Sequence, residues 1–565
     1  MAKENSENNG SWKGKIGLFM ALAFYIVSVV MVIINTKGSS FIDGDAETIT
    51  IAHWQLEDGF RQGFDEAIKR YEKMMKEKGR NVRIVQTTVP VRGYSQWFIT
   101  QLISGDPADI IELSGASQLH NQYFVPLSGY IGSPNPYNKG TPLQGIPWKD
   151  TYIDGMNSAL DSTYAEYFGV GTFFHVMRVY VNKDLLKKAT GNDKMPKTLD
   201  EWLDDCKKLR EYGLKNGIPI IPIGVRGFDK GTLASLFQQY FSQLNGHLND
   251  VTPQFGSQST SNYEVLSELA DGELNVEQLL APIDIVKQLG MNFGEGFSAT
   301  DLEQTKFLFN TGNVGFFPEG TWNAWSMVKS SPFEVEVINI PIIGSRNQYY
   351  NYFTGETSEV GVGVGGKFGI TKASKHFDLA LDFMQYLTSY KINQLTMMEY
   401  CKWPPAVINA KYEGLLEKFK PREGDARLTV SSPFYLSKKS RTRTLEAMER
   451  IIVRDIPNPK EYFWQEFTTN ILPIMEEEVT EALNSSERQL FDIEGQRSCV
   501  GVGSLVSGLN KMQKKTLERR YAMNMENLTS RCRQRYLIKK GLLAFDKLLK
   551  NGQNMSVNTN SEEVK

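Results

Sequence analysis

The spacing of apolar residues changes period several times along the chain, and each change predicts a different element. Thr48-Ile-Thr-Ile-Ala-His-Trp54 alternates and is rich in β-branched residues, the pattern of a strand. Phe64, Ile68, Tyr71 and Met75 then recur at helical spacing with lysines between them. Asn81 to Thr87 is strand-like again. Trp97 to Ile103 reads as a helix that stops at Gly105-Asp-Pro107, and Asp109 to Leu113 is a short apolar strand. Strand, helix, strand, helix, strand implies right-handed crossovers and a parallel sheet. Ligands of such sheets bind beyond the carboxyl ends of the strands. Those ends are Trp54-Gln-Leu-Glu57 and Glu112-Leu-Ser114.

A second α/β unit follows. Phe168 to Phe174 leads into a strand at Val176 to Asn182. Thr198-Leu-Asp-Glu201 has the capping-box pattern, after which Leu199, Trp202, Leu203, Cys206 and Leu209 share one helix face. Ile218 to Ile223, Val314 to Phe317 and Val335 to Ile343 read as strands, and Phe377, Ala380, Leu381, Met384 and Leu387 mark a further amphipathic helix. At 565 residues the chain needs more than one core.

The N-terminus carries a different pattern. Ile16 to Ile34 is nineteen residues without a charge. As a helix it would span roughly 28 Å, about the hydrocarbon thickness of a bilayer. That is long for a secretory signal, although Gly38-Ser-Ser40 offers small residues for cleavage. Lys13 and Lys15 precede the segment, and Asp43, Asp45 and Glu47 follow it, which puts the tail inside and the body outside. The opposite end is basic: between Lys511 and Lys550 stand twelve Lys or Arg against three Asp or Glu, a net charge of +9. Interleaved Leu528, Tyr536, Leu543 and Leu548 predict helices there. They offer a solvated basic face or a docking surface for an acidic partner or phospholipid head groups. Over the whole chain the formal net charge is only −2, so charge gives no reason to expect a nucleic-acid partner.

Four fragments lie in a fixed order: Tyr180-Val-Asn-Lys-Asp-Leu-Leu186, Met195-Pro-Lys-Thr-Leu-Asp-Glu-Trp202, Asn310-Thr-Gly-Asn-Val-Gly-Phe-Phe-Pro-Glu-Gly-Thr-Trp322, and Gly365-Gly-Lys-Phe-Gly-Ile-Thr-Lys-Ala-Ser-Lys375. Their order and spacing resemble the family 1, maltose-binding-like, extracellular solute-binding proteins of bacterial ABC importers. The resemblance covers about residues 47–410. It implies an α/β, two-lobe periplasmic-binding-protein fold of type II with a hinge, and crossings at Gly169–Thr172 and Asn339–Pro341. The apolar segment adds an N-terminal transmembrane helix, and the chain beyond Tyr412, past the family's usual end, adds a C-terminal helical extension. The expected layout has residues 1–15 as a cytoplasmic tail and 16–34 as an anchor or signal segment. Lobe one takes 47–170 with 340–400, and lobe two takes 171–339 with 401–490. A basic helical extension fills 491–550 and a disordered tail 551–565.

A pyranose presents an apolar face and a rim of hydroxyls, so a site for it needs aromatic platforms and planar polar groups. Trp54, Phe173, Phe174, Trp322 and Trp403 are the candidate platforms, and Glu112, Arg226, Asp229 and Glu319 the candidate polar partners. Glu319-Gly-Thr-Trp-Asn-Ala-Trp325 resembles the sugar-stacking aromatic turn of maltose-binding proteins, with Trp322 in the better register. Trp54 and Trp322 each follow an apolar strand beside turn residues, whereas Trp202 lies on a core-facing helix position.

Other chemistry finds little support. Gly361-Val-Gly-Val-Gly-Gly366 matches the dinucleotide fingerprint in letters, but Lys367 to Thr371 is strand-like where a helix would have to open. Five histidines (His53, His120, His175, His247, His376) show no metal-ligand spacing. Tyr349 and Tyr350 sit in a polar stretch that reads as surface. No GxSxG or kinase signature occurs.

The resemblance therefore implies a monomeric, non-enzymatic protein without cofactor or metal, anchored in the inner membrane of a bacterial cell envelope. Its body would lie on the periplasmic or extracellular side, where it would capture a carbohydrate and hand it to an ABC permease. A tethered sensor reporting to a membrane kinase or chemoreceptor is the alternative. An enzyme on polysaccharide would need two carboxylates about 5–9.5 Å apart across the cleft.

Overall fold

A computed structural model describes residues 46–478, apart from 58, 116, 162–165, 251–264, 266–268, 270–273, 360–362, 423–428, 431 and 476. The expected cytoplasmic tail, apolar segment 16–34, basic extension 491–550 and tail 551–565 lie outside the described residues. Among the described residues no helix is long and apolar enough to cross a membrane.

The strands, in chain order, are β1 (Glu47–His53), β2 (Val82–Thr88), β3 (Ile110–Glu112), β4 (Leu160–Asp161), β5 (Glu166–Tyr167), β6 (Phe173–Phe174), β7 (Met177–Asn182), β8 (Ile221–Ile223), β9 (Val314–Gly320), β10 (Val335–Ile338), β11 (Val364–Gly365) and β12 (Phe368–Ile370). Two four-stranded sheets organise the molecule. The first runs β12-β3-β1-β2, with β1 parallel to both β2 and β3 and β12 antiparallel at the edge. The second runs β10-β7-β9-β8, and only β8 and β9 are parallel.

Each sheet has the helices its pattern requires. In lobe one the helix Phe60–Glu77 buries Phe60, Phe64, Ile68, Tyr71 and Met75 against Ile49, Ile51 and Ile110. The next helix, Val91–Ser104, starts a turn and a half earlier than the apolar pattern alone indicates. It ends where expected, at Gly105, whose φ of +81° is the left-handed conformation glycine adopts without strain. In lobe two, Thr198 and Glu201 form a complete capping box at the start of the helix Leu199–Asn216. Its Leu199, Trp202, Cys206 and Leu209 are fully buried. The helices Lys438–Val453 and Pro459–Glu466 extend this second core. Ile452 approaches the helix Val276–Gly290 so closely that a Cβ on Gly290 would lie 2.5 Å from it. Cys206 and Cys401 are buried free thiols, one in each lobe.

Three passages of chain connect the lobes. The first contains β6 and enters lobe two at β7. The second lies later than Asn339–Pro341: Ile342 N still donates to Lys197 O (3.1 Å), Tyr349 Oη to Asp284 (2.8 Å) and Thr354 N to Gln243 O (2.8 Å), all lobe-two partners. The chain rejoins the first sheet only at β12, after β11 has paired with β6. The third follows residues around Trp403 and Ala406, which belong to the first core, not the second: Ile153 N donates to Ala406 O (2.9 Å). Backbone hydrogen bonding places these passages, and apolar patterning carries no trace of it. Tyr349 is buried in lobe two while Tyr350 is exposed.

Candidate functional site

The carboxyl end of β1 forms one wall between the lobes. His53 is fully buried, its Nε2 2.7 Å from Gln86 Oε1. Gln55 turns inward and donates to Glu112 Oε1 (2.6 Å), and Trp54 N reaches the other carboxylate oxygen at 3.4 Å. Glu112, at the end of β3, has no exposed surface. Burial pushes its carboxyl up to about 8, against the hydrogen bond from Gln55, so it is predominantly protonated at neutral pH. The half-buried Trp54 ring meets Tyr94 edge-on at 4.7 Å. Glu57 is also raised by burial, and its Oε2 is buried without a hydrogen-bond partner. The turn that aims Glu57 requires Gly59: at φ +86° a Cβ would sit 2.1 Å from Tyr400 O.

The facing wall comes from lobe two. All seven residues of β9 are buried, and the strand delivers Glu319 with no exposed surface. Arg226 follows β8. Its Nε is 3.2 Å from Glu319 Oε2 and its Nη1 3.3 Å from Asp229 Oδ2. The first contact is an ion pair without hydrogen-bond alignment, so Arg226 Nε and Glu319 Oε2 are both left without a hydrogen-bond partner. Burial raises the Glu319 carboxyl, opposed chiefly by Arg226. After β9 the chain folds back so that the Trp322 ring packs over Gly320, where a Cβ would lie 2.3 Å from it, so a larger residue there would displace the ring. Asn323 Nδ2 is buried beside it, again without a partner. Lys306, on the helix Leu302–Asn310, pairs with Glu303 (3.1 Å), and its charge also favours the ionised forms of Glu57 of lobe one and Glu319 of lobe two.

The first passage between the lobes supplies the floor. His175 lies 5.8 Å from the Trp322 ring and 6.2 Å from Phe173. Burial lowers it to about 4, so the ring is neutral, and its Nδ1 has no partner. Phe173 meets Trp403 edge-on at 4.8 Å. At the mouth, the Lys402 ammonium stands 5.4 Å from the Trp325 ring centroid, joining lobe one to lobe two. Lys402 adopts φ +58° directly after a π-helical turn, Leu395–Cys401, two features that concentrate at functional sites.

The structure thus brings Trp54, Arg226, Asp229 and Trp322 to the two walls, with Glu112 and Glu319 fully buried within them. Phe173, Phe174 and Trp403 are nearly or fully buried in the first core, so they support the floor and present no open ring face. Glu57, His175, Lys306, Asn323 and Lys402 join the site although sequence reasoning did not select them. Glu57 stood within a strand end already marked, and Asn323, His175 and Lys402 directly beside Trp322, Phe174 and Trp403. Lys306 carries no local signal. The Gly-rich stretch supplies β11 and not a helix start. Among the described residues no group of three or more His, Cys, Asp or Glu could hold a metal ion.

A family model described as bacterial extracellular solute-binding protein matches residues 54–394. No curated protein matches the chain in sequence. Solved structures share its fold at low identity. One comes from work on xylan utilization by Caldanaerobius polysaccharolyticus, 16% identical over 75% of this chain and 100% of that chain, with a TM-score of 0.52. The apo form of RafE from Streptococcus pneumoniae is 18% identical over 75% and 98%, with a TM-score of 0.51. A chitin oligosaccharide binding protein is 15% identical over 75% and 98%, also at 0.51.

Proposed function

The chain belongs to the bacterial extracellular solute-binding proteins, and on that premise we propose that it captures a neutral carbohydrate between its lobes and delivers it to an ABC permease. Membership makes it a binding protein, not an enzyme, that works outside the cytoplasm.

One observation carries the choice of ligand. Glu57 Oε2, His175 Nδ1 and Asn323 Nδ2 are buried polar atoms without hydrogen-bond partners, and Arg226 Nε and Glu319 Oε2 meet only as a misaligned ion pair, so that under-satisfied groups are spread over both walls and the floor. Buried polar groups are normally paired, and each left unpaired costs about 1–3 kcal/mol. A ligand whose rim both donates and accepts would satisfy them together, which is the character of a hydroxyl. Trp54 and Trp322 beside them offer ring surface for the apolar face of a sugar. Two of the nearby cations are balanced by acids of their own: Arg226 by Glu319 (3.2 Å) and Asp229 (3.3 Å), and Lys306 by Glu303 (3.1 Å). That balance favours a neutral solute over an amino acid, a polyamine or an anion. The fold shared with a chitin oligosaccharide binding protein agrees with this reading.

The apolar segment 16–34 would then tether a monomer to the inner membrane of the cell envelope, its body outward. Closure of the lobes on the sugar would present the form a permease recognises, the ligand shifting the equilibrium by its extra contacts in the closed state. The test is a thermal-shift screen of the full chain against mono- and oligosaccharides, with amino acids and polyamines beside them. A carbohydrate is expected to raise the melting temperature. A shift from an amine or amino acid with none from any sugar would overturn the assignment.

A further inference from the structure

Near the root of lobe two a second cluster of charged residues ties together chain from all three passages between the lobes. Arg178 opens β7, at the exit of the first passage, and is 1% exposed. Its Nη1 donates to Glu359 Oε1 (2.7 Å) and its Nη2 to Glu359 Oε2 (3.0 Å), a two-pronged pair with a residue of the second passage. The remaining hydrogens go to backbone: Nε to Lys418 O (2.8 Å), Nη2 to Lys420 O (3.0 Å) and Nη1 to Met177 O (2.8 Å). Lys418 and Lys420 lie on the third passage. It leaves lobe one after Ile408, whose N donates to Thr151 O (2.9 Å), and meets lobe two from Lys418, whose Nζ pairs with Glu336 of β10 (2.9 Å), to Val430, whose N donates to Ser242 Oγ (3.2 Å). Arg422, also on the third passage, donates from its backbone N to Glu359 Oε2 (2.9 Å) and from Nη2 to Oε1 (3.2 Å). Burial would raise the Glu359 carboxyl, but Arg178 and then Arg422 hold it below the usual carboxylate range.

All five N–H donors of Arg178 are therefore used, and Glu359 accepts from two different passages. Removing a partner from such a buried pair leaves an uncompensated charge, so the three passages are held to one another with little tolerance for slippage. A lobe rotation that moved one passage without the others would have to break these bonds. We propose that Arg178, Glu359 and Arg422 form the pivot of interlobe motion, fastening the three passages so that they turn as one. They act as positioning residues for closure, and no ligand need reach them.

The inference goes beyond ligand identity, and its test needs none. Spin labels on Lys73→Cys in lobe one and Lys215→Cys in lobe two, both exposed positions, report the interlobe distance in the ligand-free full chain with Cys499 and Cys532 replaced by serine. With Arg178, Glu359 and Arg422 intact the distance distribution should be narrow. Glu359→Gln keeps the shape of the side chain and removes its charge, and is expected to widen the distribution at least twofold, with Arg422→Gln widening it less. Asp382→Asn is the control. That carboxylate accepts from Tyr71 and Tyr137 (both 2.6 Å) within lobe one, so its loss should lower the melting temperature and leave the distribution unchanged. An unchanged width in Glu359→Gln, or equal widening in Asp382→Asn, overturns the proposal. Should Glu359→Gln not fold, Arg422→Gln decides by the same criterion.

Discussion

Arg178 and Arg226 both belong to lobe two, and both pair with a buried glutamate, yet the two guanidinium groups are treated in opposite ways. Around Arg178 every donor finds an acceptor, from a carboxylate or from backbone carbonyls of the first and third passages. Around Arg226 the pair with Glu319 is close but misaligned, and buried polar atoms on both walls stay without partners. Residue type is the same in the two places, so type does not distinguish a structural cluster from a ligand site. Satisfaction of hydrogen bonds does, at the two guanidinium groups: every donor of Arg178 is used within the protein, although Arg422 Nε beside it has no partner, whereas under the proposed function Arg226 Nε and its neighbours are left for a ligand.

The sharpest way to break this contrast is to remove one glutamate from each cluster. Glu359→Ala strands Arg178 and is expected to cost about 3–5 kcal/mol in urea unfolding. Glu319→Gln removes a buried charge whose carboxyl is already raised, so stability should hold or rise while sugar affinity falls. Equal losses of stability in the two variants would dissolve the distinction.

Next in size is a pH effect confined to the ligand site. Glu112 keeps its proton in the folded chain up to about pH 8, whereas the unfolded chain releases it near 4.5. Between those values the native state binds more protons, so this residue's contribution to stability falls as pH rises through the window and is then constant. Glu112→Gln should therefore gain stability over the native chain on going from pH 5 to pH 8, by a few kcal/mol at most. Parallel pH profiles for the two proteins would refute the assignment of a proton to Glu112.

Smaller effects come from the rings. Trp322→Ala should weaken sugar binding about tenfold, or about 1.4 kcal/mol, with little change in unfolding midpoint. Lys402→Met removes the ammonium over Trp325 and is expected to cost about 0.5–1 kcal/mol, seen as a modest rise in dissociation constant. An affinity gain would show that Lys402 competes with the ligand for the Trp325 face.

The sequence made the two α/β units legible because their signals are local. Alternation marked β1 and β2, the Thr198–Glu201 pair marked a cap, and Gly105 marked a stop. Trp54, Glu112 and Glu319 were legible as site candidates because they sit at or just past strand ends, where this architecture places ligands. The passages between lobes were not. Residues 340–354 stay with lobe two through hydrogen bonds to Lys197, Gln243 and Asp284 and through buried Ile340, Ile343 and Tyr349, with partners far away in sequence. Phe174 and Trp403 had the composition of a sugar platform, but nothing local to a sequence tells an open ring from a buried one. Arg178 and Glu359 are 181 positions apart, and neither stands in a motif.

The most direct test is calorimetric titration of the full native chain and Trp322→Ala, side by side, with the carbohydrate that most raises the melting temperature. Saturable binding at one site per chain, with a negative heat-capacity change and at least tenfold loss in the variant, is expected for a sugar held between the lobes. Equal affinity in both proteins, or no binding of any carbohydrate where an amine or amino acid binds, would contradict it.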